Sequence, residues 1–293
     1  MLKSKSKKQM VYKTLLTVVL TLISMTMVIP FVLTVFTSLK PMSEIQSASY
    51  TVLPQNWQFN NYVEAMQKGH WARYFSNSLI VTGSTVAFAV LFNTMAGYAF
   101  ARLEFPCKTP LFFFLLIGIM VPAQVTLIPT FFMMKSIPLA GGNNLFGAGG
   151  TGLLDSRLGL IIPYIAGSFG VFLCRQFFIN FPKSLDEAAE IDGAGKWRTF
   201  FEIYVPLSKP IIATLVITKS VSIWNDYLWP MVLINSESNR TVQLGLTMFR
   251  NENVVQWNYL MAATVLVILP LVIIFVAFQK YYVGGILASG VKG

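Results

Sequence analysis

Residues 184–206, with the sequence SLDEAAEIDGAGKWRTFFEIYVP, form a polar stretch between two long apolar blocks. Ser184 followed three residues later by Glu187 is the pattern of a capping box, which predicts that a helix begins here. Gly193 suits the end of that helix. Two prolines then interrupt the chain before the next apolar block. The stretch is therefore predicted to be a short helix, a glycine turn and a second short helix.

Composition assigns the chain to an all-α integral membrane class. The 293 residues are 55% hydrophobic and 12% charged, with a mean hydropathy of +0.61, whereas soluble domains carry about 25% charged residues. Cys107 and Cys174 have neither metal-binding nor redox spacing, and His70 is the one histidine. We therefore expect no metal site and no catalytic residue.

Six apolar blocks are long enough to cross a bilayer as helices. They are residues 14–36, 77–101, 110–134, 158–179, 210–234 and 258–280. The first block follows five lysines but is too long for a signal-peptide core, so we interpret it as an uncleaved transmembrane helix. Pro122 and Pro129 interrupt the third block; they are either tolerated within a straight helix or mark a bend beside a cavity.

The distribution of lysine and arginine predicts an orientation. With the N-terminus inside, the inner segments hold fourteen of the 22 basic residues and the outer segments hold seven. Cytoplasmic loops are enriched in basic residues, so both termini are predicted to be cytoplasmic, together with residues 180–209. The same distribution explains the net charge of +10 without a nucleic-acid partner.

Lys219 and Asp226 are unusual because both fall within the predicted fifth span. A charge at membrane depth costs about 2.5–3.5 kcal/mol and usually faces a partner or a wet cavity. Their spacing of seven residues predicts one helix face and a separation of about 10 Å along the axis. Asn225 and Asp226 either line a substrate path or cap the end of the helix, and Lys219 either lines that path or extends toward the cytoplasmic side.

The polar stretch resembles the EAA loop of permease subunits in ATP-binding-cassette importers, most closely those of the maltose type. The resemblance is carried by Glu187-Ala188-Ala189, Asp192-Gly193-Ala194, Phe200, Ile203, Pro206 and Pro210. Residues 224–230 resemble the end of the fifth helix in that family, and residues 281–293 resemble its C-terminal tail. The resemblance implies a type I importer permease fold with six transmembrane helices in one domain, residues 1–293, with a cytoplasmic tail.

In that family the loop docks on the ATPase subunit, which implies that residues 180–209 form a coupling loop here. The docking residues implied by the match are Glu187, Ala188, Ala189, Asp192, Gly193 and Ala194. The implied partners are a second, different permease subunit, two ATPase subunits and an extracytoplasmic substrate-binding protein, in a lipid bilayer of the bacterial inner membrane. The chain has no Walker loop of its own, so ATP and Mg²⁺ are expected on the ATPase.

The implied function is a permease that imports sugars or oligosaccharides by alternating access, without being an enzyme itself. Lys219, Trp224, Asn225 and Asp226 are the substrate-path candidates. Because Lys219 departs from the apolar family pattern, we hypothesise an acidic, alginate-like oligosaccharide; the competing interpretation is an ion pair between Lys219 and the partner permease. The alternatives are an ion-coupled carrier, for which the sequence offers no clear repeat, and a membrane-embedded enzyme, for which it offers no catalytic cluster.

Overall fold

The computed structural model describes residues 7–49, 51–250 and 254–290, and the side chains of residues 10–49, 51–250 and 254–280. Within these ranges every regular element is a helix, apart from an isolated bridge between Arg250 and Val255. The first lysines of the basic N-terminus and the last three residues of the predicted tail lie outside the described residues. The predicted all-α class is therefore confirmed for the part of the chain that is described.

The α-helices are α1 Lys7–Ser38, α2 Met42–Ile45, α3 Asn60–Gln67, α4 Trp71–Arg102, α5 Lys108–Met120, α6 Ala123–Lys135, α7 Arg157–Ile161, α8 Ser168–Ile179, α9 Ser184–Ile191, α10 Lys196–Arg198, α11 Val205–Leu207, α12 Lys209–Trp224, α13 Leu228–Leu233, α14 Val242–Leu246 and α15 Trp257–Gly290. Short 3₁₀ turns occupy Ile162–Tyr164, Glu237–Asn239 and Thr247–Phe249, and a π-helix occupies Thr199–Tyr204. The predicted sixth span continues as helix into the expected tail, as far as Gly290.

Three described helices are each long and apolar enough to cross a membrane, and three bent pairs meet the same criteria together. The single helices cover Met10–Ser38, Trp71–Arg102 and Trp257–Lys280. The pairs are α5 with α6, bent by 107°, Arg157–Tyr164 with α8, bent by 41°, and Lys196–Leu207 with α12, bent by 77°. The described chain therefore has three to six candidate spans.

The break between α5 and α6 has a local cause. Pro122 has an extended backbone, and Val121 before it is extended as well, with ψ of 119°. A residue that precedes proline avoids the helical region because the proline ring crowds its backbone. A bend at Pro122 is confirmed, whereas a cavity beside it stays a prediction, and α6 runs through Pro129 without a break.

The chain divides into two compact units. The first comprises Met1–Gly69 and Leu246–Ile268. Within it, the Asn61 side chain donates to the carbonyls of Ser38 and Lys40, at 2.8 and 2.9 Å, and accepts from Asn258 at 3.2 Å. This buried asparagine therefore joins the end of α1 to α3 and to the beginning of α15.

The second unit, His70–Gly245 with Leu269–Gly293, contains the predicted coupling loop. Its helix α4 packs closely on α8: a Cβ atom added at Gly97 would lie 2.3 Å from the Cβ of Cys174. The glycine is required because two membrane helices approach most closely where a side chain is absent. Two apolar clusters fill this unit, one around Trp229 and Leu233 and one around Phe178 and Tyr204.

The glycine-rich segment between α6 and α7 is a hydrogen-bonded loop. The Asn143 side chain donates to the carbonyls of Lys135 and Ile137 and accepts from the amide of Gly150. After the loop, Asp155 accepts from the amide and the hydroxyl of Ser236 at 3.0 and 2.9 Å. Partial burial alone would raise the pKa of the Asp155 carboxyl, but these hydrogen bonds hold that pKa below its ordinary value.

Candidate functional site

The predicted first helix of the polar stretch is present as α9, but the predicted capping box is wrong. Ser184 is already the first helical residue, and no side chain caps the helix at Lys183. The amides of Asp186 and Glu187 donate instead to the carbonyl of Lys183, at 2.9 and 3.1 Å. Lys183 has helical backbone angles, so the first turn satisfies its own amides and leaves none for the serine hydroxyl.

The predicted glycine stop at Gly193 is confirmed. Gly193 has a φ of +69°, a conformation that residues with a Cβ atom rarely adopt. Its amide donates to the carbonyl of Glu190 at 3.1 Å, and the amide of Ala194 donates to the carbonyl of Ala189 at 2.8 Å. These two bonds are the Schellman motif, which turns the chain sharply at the end of a helix.

The six docking candidates occupy one end of α9 and the turn that follows. Glu187, Ala188, Asp192 and Gly193 are exposed, Ala194 is half-buried and Ala189 is buried. Four of the six are therefore accessible at the surface, while Ala189 packs α9 against the rest of the unit.

Sequence reasoning missed the exposed apolar side chains beside these candidates. Ile191 is 87% exposed and Trp197 is 64% exposed. The Trp197 ring stacks on Phe201, with 6.2 Å between ring centroids. The sequence did contain a signal for them, because large apolar residues lie next to a glycine turn in an otherwise polar stretch. Contiguous exposed apolar groups are typical of interaction sites in proteins.

Two ion pairs border this surface. The Lys196 ammonium donates to Glu190 at 2.6 Å, across the glycine turn, and lowers the pKa of that carboxyl below its ordinary value. Arg198 donates to Glu202 at 2.8 Å, one helical turn along. All four side chains are more than half exposed, so water and salt screen both pairs and they add little stability.

Asp186 behaves differently from the other acidic residues of the stretch. Its side chain is only 28% exposed and lies 3.3 Å from the guanidinium of Arg102, at the end of α4. The hydroxyl of Tyr204 donates to the same carboxylate at 2.8 Å. Sequence reasoning did not select Asp186, because the partners that hold it are distant along the chain.

Behind the exposed surface, the structure has an apolar cavity of about 370 Å³. Met95, Ala99 and Leu103 line it on one side, and Trp197 and Phe200 line it on the other. The cavity lies between the segment after the glycine turn and the last turns of α4, which contact each other directly through Tyr98 and Phe200, with 5.3 Å between ring centroids.

The substrate-path candidates lie at the end of α12, where one sequence prediction is wrong. The helix ends at Trp224, and α13 begins only at Leu228, so Lys219 and Asp226 do not share a helix face. Asn225 caps α12, and its side chain donates to the carbonyl of Val221 at 2.9 Å. The capping interpretation of Asn225 is therefore confirmed.

Asp226 lies in the break between α12 and α13. Its carboxylate accepts from the Tyr164 hydroxyl at 2.9 Å and from the Trp229 amide at 3.3 Å. The hydrogen bond from the Trp229 amide holds the first turn of α13 in the manner of a helix cap. Trp224 is 2% exposed and packs against Phe75, so in this conformation its ring is covered.

Lys219 lies about ten residues inside α12 and is half-buried. Within the described part of the chain, its ammonium has no hydrogen bond and no ion pair. A Cβ atom added at Gly167 would lie 3.1 Å from that ammonium. The lysine therefore points at the break between the 3₁₀ turn and α8, where the absence of a side chain leaves it room.

Among the described residues, no group of three or more histidine, cysteine, aspartate or glutamate side chains is placed to hold a metal ion.

Residues 93–287 match the family model described as "Binding-protein-dependent transport system inner membrane component". The chain belongs to this family. The match covers about two thirds of the chain, including every docking and substrate-path candidate. The family match and the apolar helices agree that the chain is a multi-pass protein of the bacterial inner membrane.

Curated relatives match nearly the whole length of the chain. It is 31% identical to the arabinooligosaccharides transport system permease protein AraQ of Bacillus subtilis (strain 168), over 97% of each chain. It is also 31% identical to the melibiose/raffinose/stachyose import permease protein MelC of the same organism, over 90% of this chain and 91% of that protein. These relatives are transport permeases rather than enzymes.

A solved structure shares the fold. A chain in the crystal structure of a bacterial ABC transporter, which its title describes as importing the acidic polysaccharide alginate, has a TM-score of 0.78 and 23% identity. The alignment covers 95% of this chain and 99% of that one. The inner membrane component therefore has an ABC importer permease fold.

Proposed function

We propose that the chain is the transmembrane permease subunit of an ATP-driven importer of sugars or oligosaccharides. The observation that carries this proposal is α9 with its Schellman turn at Gly193, which presents Glu187, Ala188 and Ile191 at the surface. A permease needs such a projection to receive force from an ATPase. The names of its relatives, which refer to arabinooligosaccharides and to melibiose, raffinose and stachyose, support the carbohydrate class.

In this proposal, α9 and the turn dock in the ATPase subunit through the six docking candidates, with Ile191 and Trp197 as the apolar anchors. Exposed aromatic and aliphatic groups fit this role because they contribute most of the binding free energy when an interface buries them. ATP and Mg²⁺ are bound by the ATPase. ATP-driven closure of the two ATPase subunits moves α9, and the helices open the path outward by alternating access.

The topology in this proposal has six spans, with the three bent pairs counted as one span each, and cytoplasmic N and C termini. The fourteen-to-seven distribution of basic residues supports this orientation. It places α9 on the cytoplasmic side, where ATP is available. The remaining partners are a second, different permease subunit and an extracytoplasmic substrate-binding protein.

A narrower proposal concerns the charge of the substrate. Lys219 has no acidic partner within the described part of the chain, and a lysine at membrane depth requires a compensating charge or water. A carboxylate of an acidic, alginate-like oligosaccharide would supply that charge. The alternative is an acidic residue of the partner permease. Asn225 and Asp226 remain candidates for the same path, while Trp224 would have to be uncovered first.

Affinity purification of the tagged chain in mild detergent, followed by reconstitution in liposomes, tests the proposal. We expect an ATPase and a second permease to co-purify, and ATP inside the liposomes to drive uptake once the binding protein is added. Neutral and acidic oligosaccharides of equal length are compared in the same assay. Uptake that persists without the ATPase would instead indicate an ion-coupled carrier, and turnover by the purified chain alone would indicate an enzyme.

A further inference from the structure

We propose that Arg102 and Asp186 form the link through which movement of α9 reaches α4 and α8, so that both are positioning residues for transport. This inference rests on the proposed function, because it assumes that a partner ATPase moves α9. It assigns the transmission to two residues that lie beneath the docking surface rather than on it.

Arg102 connects three chain segments at one point. It is the last residue of α4, and its side chain is 8% exposed. One guanidinium nitrogen lies 3.3 Å from Asp186 of α9. The second terminal nitrogen donates to the carbonyl of Phe178 at 2.7 Å, near the end of α8, and also to the carbonyl of Phe181. The planar, forked guanidinium suits this role because it donates in several fixed directions at once.

Tyr204, at the end of the π-helix, is the second residue that binds the Asp186 carboxylate. Its hydroxyl donates to both oxygens of Asp186, at 2.8 and 3.0 Å. Its ring stacks on Phe181, with 5.4 Å between centroids, and lies 5.6 Å from the Arg102 guanidinium. The carboxylate is therefore held from two directions, which fixes α9 in orientation as well as in distance.

The attachment of α9 to the rest of the unit is narrow. Ala189 is the one buried residue of this helix, every residue of which is described. A methyl group makes a small contact that allows the helix to slide or rotate, whereas a charge-assisted bond to a buried guanidinium has a defined direction. Asp186 therefore gives force applied to Glu187 or Ile191 a directed route into the rest of the unit.

The location of the Arg102–Asp186 link also favours a role in transmitting movement over a role in stabilising the fold alone. A π-helix is a rare element that occurs frequently at functional sites, and this one ends at Tyr204. Four residues later the chain bends by 77° between Lys196–Leu207 and α12, the helix that carries Lys219. A displacement of Asp186 therefore acts on α4 and α8 through Arg102 and on α12 through Tyr204.

Double-mutant analysis in the reconstituted complex tests the inference. Asp186→Asn keeps an acceptor for Tyr204 but removes the charge, and Arg102→Gln removes the guanidinium. The number of substrate molecules imported per ATP hydrolysed is the decisive quantity. We expect each variant to retain the ATPase subunits but to lower this ratio about tenfold, a usual size for coupling between two sites. The double variant should be no worse than either single variant.

Two further variants separate positioning from folding. Arg102→Lys keeps the charge and should restore part of the ratio. Glu104→Gln breaks the nearby Lys108–Glu104 pair, in which the glutamate side chain is 90% exposed, and should leave the ratio unchanged. If Arg102→Gln fails to assemble, Asp186→Asn decides the question alone.

The inference is overturned if uptake and ATP hydrolysis fall together in the variants. The number of substrate molecules imported per ATP hydrolysed would then be unchanged, and less complex would be assembled. A wild-type complex that shows no ATP-driven uptake would instead overturn the proposed function itself, and the inference with it.

Discussion

The Tyr164 hydroxyl donates to the Asp226 carboxylate at 2.9 Å, and this bond joins two interruptions in long helices. Tyr164 ends the 3₁₀ turn that precedes the bend before α8, and Asp226 lies between α12 and α13. A broken helix within a membrane must satisfy its freed polar groups inside the protein. Here Asp226 accepts from the backbone amide of Trp229 in one break, and the Tyr164 hydroxyl from the other break holds the same carboxylate.

Tyr164→Phe should therefore destabilise the fold. A hydrogen bond to a charged group contributes about 1.5–3 kcal/mol to the free energy of unfolding. Thermal unfolding in detergent should show a lower midpoint for this variant. Tyr227→Phe is the matched control, because Tyr227 lies in the same break but is 40% exposed. Equal midpoints for the two variants would contradict a role for the Tyr164–Asp226 bond.

Gly193→Ala should weaken attachment of the ATPase without removing the chain from the membrane. No atom lies within 4 Å of an added Cβ at Gly193, so the whole effect arises from its φ of +69°, which costs a residue other than glycine about 1–2 kcal/mol. The amount of ATPase that co-purifies measures the effect.

Gly195→Ala is the control for this substitution. An added Cβ at Gly195 also meets no atom, but its φ is −69°, which alanine adopts freely. ATPase recovery that is the same for both variants would remove the Gly193 turn from the docking surface.

Lys219→Met separates the two interpretations of the lysine in α12. If Lys219 binds substrate, uptake of an acidic oligosaccharide should fall while uptake of a neutral one and assembly of the complex persist. If it pairs with the partner permease, assembly should fall instead. Lys209→Met, which removes a charge from the exposed first residue of the same helix, should change neither.

Cysteine labelling tests the orientation. In a background with Cys107→Ser and Cys174→Ser, a cysteine that replaces Ser238 should react with an impermeant thiol reagent added outside intact cells. A cysteine that replaces Ser184 should react only after the membrane is opened. Both serines are exposed, so burial does not confound the comparison. The reverse pattern would contradict the inside position of both termini and the docking of α9.

The backbone conformation of the docking candidates was predictable because it depends on neighbours along the chain. The helix at residues 184–191 and its stop at Gly193 follow from local preferences, since only glycine adopts this turn without strain. The inner role of Asp186 was not predictable, because Arg102 and Tyr204 approach it only after three helices have packed.

The sequence by itself determined the membrane class, the helical content and the polar stretch with its glycine turn, because composition and short-range backbone preferences suffice for each. Only the tertiary structure decided that α12 ends at Trp224, that Asp226 bonds to Tyr164 and that Asp186 faces inward. An apolar run of 25 residues has the same composition whether it forms one helix or two. The difference arises from contacts that form only when distant segments pack, such as the bond from Tyr164 to Asp226.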